Sequence, residues 1–438
     1  MNSPMTSRNG ILRIFLGVLT LAVLVVAGLI GWRLATREVD PSAPDVQANA
    51  ELVARGAYLA RAADCAACHS RPGGRPFAGG VAFTLPFGTL YSTNITADRE
   101  TGIGQWSDDD FVRALHQGLS KDGRNLYPAF PYTSYTAMSR DDAVAIKAYL
   151  FSLPPVHAPA TADRLAFPFD QRWGLTAWKW LFLDERRFRP DPARSQAANR
   201  GAYLATALGH CDECHTPRNI FMGLSRSKAY AGGEASGWRA YNLTSDRESG
   251  LGEWTDAQLE QFLSTGRAQD HGPAAGPMAE VVEDSLRYLT PEDIRTMVVY
   301  LRAIPAQRGD SQTGARAAEP STDARGRRLF AQGCTGCHLL NGEGRQSPWA
   351  ALRGARSARD ASGVNVVQAL TLGSRIETSQ GPMFMHSFAA GYSDDELASI
   401  GNFVIVQFGL SQGSITPRQV RAQRALAANA STSTTSEQ

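Results

Sequence analysis

The chain has 438 residues, 20% of them charged, and a formal net charge of +2. That is the composition of a globular protein without the basic or acidic bias that nucleic-acid binding requires, so nucleic acid is not an expected partner. All six cysteines fall in three copies of one motif and none remains for a disulfide, while the length predicts two to four domains.

In chain order, the first signal is an uncharged stretch from Ile14 to Trp32. At 1.5 Å per residue it covers ~28 Å of hydrocarbon, which predicts a transmembrane anchor within residues 1–36. The stretch ends in Trp32-Arg33-Leu34 with no good small-x-small cleavage site, so the reading is a retained anchor rather than a cleaved signal peptide. Arg8 and Arg13 precede it and Arg33 and Arg37 follow, so flanking charge barely sets its orientation. Residues 38–50, with Pro41 and Pro44, read as a linker.

The chain then repeats itself. Arg55-Gly-Ala-Tyr-Leu-Ala60 returns as Arg200-Gly-Ala-Tyr-Leu-Ala205, each shortly before a Cys-x-x-Cys-His motif, and a diverged copy begins at Arg325-Gly-Arg-Arg-Leu-Phe330. These read as opening helices. The stretch from Asn94 to Trp106 and the following Ser107-Asp match Asn242 to Trp254 and Thr255-Asp almost residue for residue, an internal duplication. Its Gly-punctuated half predicts a loop, and Ser107 and Thr255 predict N-caps of helices. Each copy closes on a capped helix with acidic first-turn residues, at Ser139, Thr290 and Ser393. The fold expected is mainly α, three tandem domains of like construction over residues 50–155, 196–305 and 320–412. Between the first two lies a connector, 156–195, with Trp173, Trp178, Trp180, Phe182 and Phe188. It reads as an apolar strut packed between domains, the alternative being a surface for membrane or partner. Residues 413–438 form a polar tail, expected to be disordered towards its end.

The three motifs, Cys65-Ala-Ala-Cys68-His69, Cys211-Asp-Glu-Cys214-His215 and Cys334-Thr-Gly-Cys337-His338, carry the chemistry. Two thiols at this spacing suit thioethers to the vinyl groups of one haem while the next residue supplies an iron ligand, which predicts three covalently bound haem c groups. A zinc site needs further Cys or His ligands, and a thioredoxin-like redox pair needs no histidine and does not recur three times. Methionine opposite the histidine makes an electron carrier; an open position makes an oxygen or peroxide enzyme. Met138 is the single candidate between the first two motifs. In the second domain Met278, in a Gly-Pro-Met loop, is favoured over Met222, too near His215, and over Met297, at a core-facing helix position. In the third, Met385 is favoured over Met383, and His386 is a rival ligand. A dinucleotide fingerprint of the Gly-x-Gly-x-x-Gly kind is absent from the sequence.

The three-haem arrangement, Tyr127-Pro-Ala-Phe-Pro-Tyr-Thr-Ser-Tyr135, Ala145-Ile-Lys-Ala-Tyr-Leu-Phe-Ser-Leu-Pro-Pro155, the Asn-x-Thr-x-Asp-Arg-Glu loops and Gly276-Pro-Met278 resemble the triheme cytochrome c subunits of bacterial membrane-bound dehydrogenases. The resemblance covers residues 50 to 412 and implies that the three tandem domains are class I cytochrome c-like, mainly α, after an N-terminal transmembrane helix. It implies an electron-transfer subunit rather than an enzyme in its own right, partnered by a catalytic dehydrogenase subunit of quinoprotein, flavoprotein or molybdenum type. It also implies electron delivery to ubiquinone at the bacterial cytoplasmic membrane, with the haem domains in the periplasm. An anchored carrier feeding a terminal oxidase and a self-contained haem peroxidase are the other readings.

Overall fold

The structure is a computed structural model that describes residues 42–309, 323–345, 347–378, 381–409 and 412–425, with isolated positions between 13 and 28. The expected anchor lies almost entirely outside the described residues. Among the described residues no helix is long and apolar enough to cross a membrane.

The architecture is mainly helical, and one construction recurs three times. An opening helix crosses a closing helix: Ala50–Ala62 against Arg140–Ser152, Gln196–Tyr203 against Pro291–Ala303, and Ala324–Gly333 against Asp394–Gly409. Asn49, Ser139, Ser195, Thr290 and Asp323 cap these helices, each side chain accepting a backbone N–H that the first turn leaves without a partner. The repeated glycine after each arginine marks the crossing. A Cβ on Gly56 would stand 1.8 Å from the Ala145 carbonyl oxygen, one on Gly201 1.8 Å from that of Thr296, and one on Gly326 2.3 Å from that of Ser399. Only glycine admits this approach.

The arginine and tyrosine of the duplicated Arg-Gly-Ala-Tyr run do different work. Arg55 pairs with Asp142 and Arg200 with Asp293, each within its own segment. The tyrosines are exchanged. Tyr58 donates to Asp293 at 2.6 Å and its hydroxyl accepts the Thr290 N–H, while Tyr203 donates to Asp142 and accepts the Ser139 N–H at 3.1 Å. The first two segments are thereby stitched as a reciprocal pair, and one buried apolar cluster runs through both. The third segment has its own cluster around Phe330, Leu397 and Ile405, and a smaller cluster with Ala274, Ala279 and Ile376 joins it to the second.

Strands are short hairpins: Ala82–Leu85 with Gly88–Tyr91, Gly233–Ala235 with Trp238–Ala240, Arg267–Ala268 with Gly272–Pro273, and Ser374–Thr378 with Gly381–Met385. Arg164–Leu165 adds a third strand to the first hairpin.

Two expectations need revision. The aromatic connector is not an enclosed strut. Its helix, Gly174–Phe182, buries Lys179, whose ammonium donates to the Gln117 carbonyl at 2.8 Å, and leaves Trp173 76%, Trp180 50% and Leu181 72% exposed. Trp178 bonds the Phe221 carbonyl, so the helix leans on the 219–223 loop, where Ile220 and Phe221 are exposed as well. A helix whose apolar side chains lie on several faces cannot hide all of them against one neighbour. The third segment also runs past 412. Ile415 and Val420 enter its core, and residues 417–425 are helical, with Arg424 on Asp394. The tail beyond 425 lies outside the described residues.

Candidate haem-binding sites

Each Cys-x-x-Cys-His run forms a short helical turn, Cys65–His69, Cys211–His215 and Thr335–His338 with Cys334 as its cap. Residues three and four apart share a helix face, so both sulfurs and the imidazole emerge on one side. The first two turns are entered through a left-handed residue, Asp64 at φ 52° and His210 at φ 38°; the third is left through Leu339 at φ 59°.

All three imidazoles are held alike. His69 Nδ1 lies 2.7 Å from the Thr93 carbonyl oxygen, His215 Nδ1 2.6 Å from that of Tyr241, and His338 Nδ1 2.7 Å from that of Ala350. Nδ1 donating to a carbonyl fixes the tautomer and leaves Nε2 with its lone pair free to bind a metal. Burial lowers the pKa of all three histidines more than the carbonyl contact raises it, so the rings are neutral, as ligation requires.

These carbonyls were missed from sequence because a backbone oxygen has no residue signature. A signal was nonetheless present, since Thr93 and Tyr241 directly precede the duplicated loops. Asn94 donates to Thr101 and to the Val156 carbonyl and accepts from Thr96 N; Asn242 does the same with Ser249, the Gln307 carbonyl and Thr244 N. The loop is a clamp on the residue that orients the histidine.

The cysteines form no disulfide. Burial pushes the Cys65, Cys68 and Cys211 thiols up to about 12, and Cys214 and Cys334 up to about 11. Among the described residues no group of three or more His, Cys, Asp or Glu side chains is arranged to hold a metal ion. The donor set fits covalent haem: the paired cysteines would provide the thioethers, and Nε2 of His69, His215 and His338 would be the iron ligand. The group supplies a one-electron iron couple.

The first two sites are brought together. Helix Pro277–Asp284 of the second segment packs on the Cys65–His69 turn, and the Tyr132–Tyr135 turn of the first reaches the second motif, with Ser134 donating to Asp212 at 3.2 Å and Thr133 to Glu213. Burial, with Asp284 and Glu280 adding to it, raises the Asp64 carboxyl well above its usual range; burial and Glu213 push Asp212 up to about 7.

The methionines occupy unlike places. Met278 is the second residue of its helix and half-buried, facing both the shared core and the junction with the third segment. Met385 packs against the third core, which contains Cys334, whereas Met383 faces the junction cluster. His386 is exposed and stands edge-on to Phe384. Met138 is 0% exposed, sealed in the core that the first two segments share and one residue before the cap of the closing helix. Met222 is on an exposed loop and Met297 inside a closing helix.

A family model for cytochrome c matches residues 53–154 and 324–405. The fructose dehydrogenase cytochrome subunit of Gluconobacter japonicus is 34% identical over 94% of this chain and 90% of its own length. The cytochrome c subunit of the quinone alcohol dehydrogenase of Gluconobacter oxydans is 33% identical over 92% and 89%. A nicotinate dehydrogenase subunit of Pseudomonas putida is 44% identical over 74% of this chain, which spans 27% of that larger protein.

Proposed function

This chain belongs to the cytochrome c subunits of bacterial dehydrogenases, and from that premise we propose that it is the three-haem subunit that carries electrons from a periplasmic alcohol- or aldehyde-oxidising catalytic subunit to ubiquinone. The observation that carries the reading is the threefold construction of one site: paired cysteines and a histidine on one turn, with Nδ1 tied to a carbonyl. Three tandem cytochrome domains in series suit a path longer than one haem spans. The relatives named for nicotinate, fructose and alcohol differ in substrate. A subunit that only relays electrons need not vary with it. Met278 and Met385 are the sixth ligands proposed for the haems of His215 and His338; Met138, expected to serve His69, stands in a different kind of place.

The N-terminal apolar stretch tethers the first segment at the cytoplasmic membrane. The exposed Trp173, Trp180, Leu181, Ile220 and Phe221 form the surface proposed to lie on that bilayer, where ubiquinone resides. The mature protein should exceed its polypeptide mass by three haems. Purified from membranes it should bring a larger catalytic subunit and reduce a ubiquinone analogue when given an alcohol or aldehyde. A smaller mass increment, or dehydrogenase activity that survives deletion of this chain, would refute the proposal.

A further inference from the structure

The duplication supplies an internal ruler for the first haem site. From Asn94 and Asn242 onward the two copies run 148 residues apart without a gap: Ser107 and Thr255 cap equivalent helices, Gly118 and Gly266 end them, and the pair Leu119–Asn125 bridges as Arg267–Pro273 does. The Leu126 N–H bonds the Gly118 carbonyl at 2.8 Å, and the Ala274 N–H bonds that of Gly266 at 2.6 Å. Four residues beyond these matched bonds stand Phe130 in the first copy and Met278 in the second.

Counting back from the closing helices gives a second register. Ser139 and Thr290, Asp142 and Asp293, and the glycine contacts at Ala145 and Thr296 all differ by 151. On that count Met278 corresponds to Tyr127. Neither register places a methionine opposite His69. Met138 corresponds instead to Leu289, and both are buried apolar residues directly before an N-cap. Phe130 is only half-buried, with its ring edge-on to Tyr135 at 5.6 Å, and Tyr135 bonds the Ala63 carbonyl two residues before Cys65.

We infer that the haem of the first segment has no methionine ligand: its sixth position faces Phe130 and is open to a small neutral ligand such as carbon monoxide. A phenyl ring offers no lone pair, and loss of sulfur ligation lowers the reduction potential relative to a His/Met haem. Met138 is a core residue, not a ligand. This inference rests on the three-haem reading, so haem content is measured first; a count other than three fails that reading and leaves this one to be judged on the haem of Cys65 and Cys68.

The experiment titrates the reduced, full-length, haem-loaded protein with carbon monoxide. One equivalent per chain should bind. Phe130→Met should abolish that binding and raise the potential of one haem, and Met138→Leu, the residue of the second copy, should leave both the stoichiometry and the three potentials as in the native protein. No carbon monoxide bound by the native chain overturns the inference. So does Met138→Leu creating a new carbon monoxide-binding haem, or a folded Phe130→Met protein that binds as before.

Discussion

Substituting Gly56 by alanine tests the helix crossing that backs the first haem site. The new Cβ would sit 1.8 Å from the Ala145 carbonyl oxygen and 2.9 Å from the Tyr149 Cβ. Real Cβ contacts essentially never fall below 3.0 Å, and a backbone carbonyl cannot swing aside as a side-chain tip can, so the helices must part by more than an ångström. Overpacking of this kind costs up to ~3 kcal/mol. Alanine returns ~1 kcal/mol through its better helix propensity, leaving a net loss of ~2 kcal/mol. For a unit of 150–250 residues that lowers Tm by about 4–8 °C. Gly336→Ala is the matched control, because nothing lies within 4 Å of its Cβ and the first motif already carries Ala67 there. Thermal unfolding of the haem-loaded variants, followed by near-ultraviolet circular dichroism, should show the loss for Gly56→Ala and none for Gly336→Ala. Equal stability of the two would refute the crossing as described.

Asn94→Ala should free the carbonyl of Thr93 from its clamp, changing the spectrum of one haem while the other two keep theirs. Met385→Leu is expected to convert the haem of His338 to a carbon monoxide-binding form, whereas Met383→Leu, on the junction side, should not; the reverse result would exchange their roles. Burial pushes the Asp293 carboxyl up, but the hydrogen bonds from Arg200 and Tyr58 outweigh it and hold the group below its usual range. A depressed carboxyl stabilises the fold above its unfolded pKa of ~4, and that stability is lost as pH falls through the folded value. Arg200→Met should therefore cost ~1 kcal/mol near neutrality, discounted because Arg200 is partly exposed, and the gap should close on acidification below about pH 4 in urea unfolding. A gap that does not change with pH would mean that the pair is not its source.

What the sequence by itself determined is what contiguous residues encode. Cys-x-x-Cys-His is a local covalent device, an N-cap is read from one polar side chain before an apolar period, and a duplication shows itself wherever two stretches match. The three opening and three closing helices were legible on that basis, as was the grouping of all six cysteines with His69, His215 and His338 in three motifs. Tertiary structure decided whatever depends on residues far apart in the chain. The Tyr58–Asp293 bond spans 235 residues and Tyr203–Asp142 61, and nothing in Arg-Gly-Ala-Tyr says that its tyrosine crosses to the other copy. The carbonyls of Thr93, Tyr241 and Ala350 are backbone groups that every residue possesses. Methionine is equally at home as ligand and as core filler, and only the fold shows that Met138 is fully buried and Met278 half-buried. The connector's aromatic residues predicted burial by their chemistry, but whether a neighbour exists to cover them is a property of the assembled fold, and here that neighbour covers one face alone.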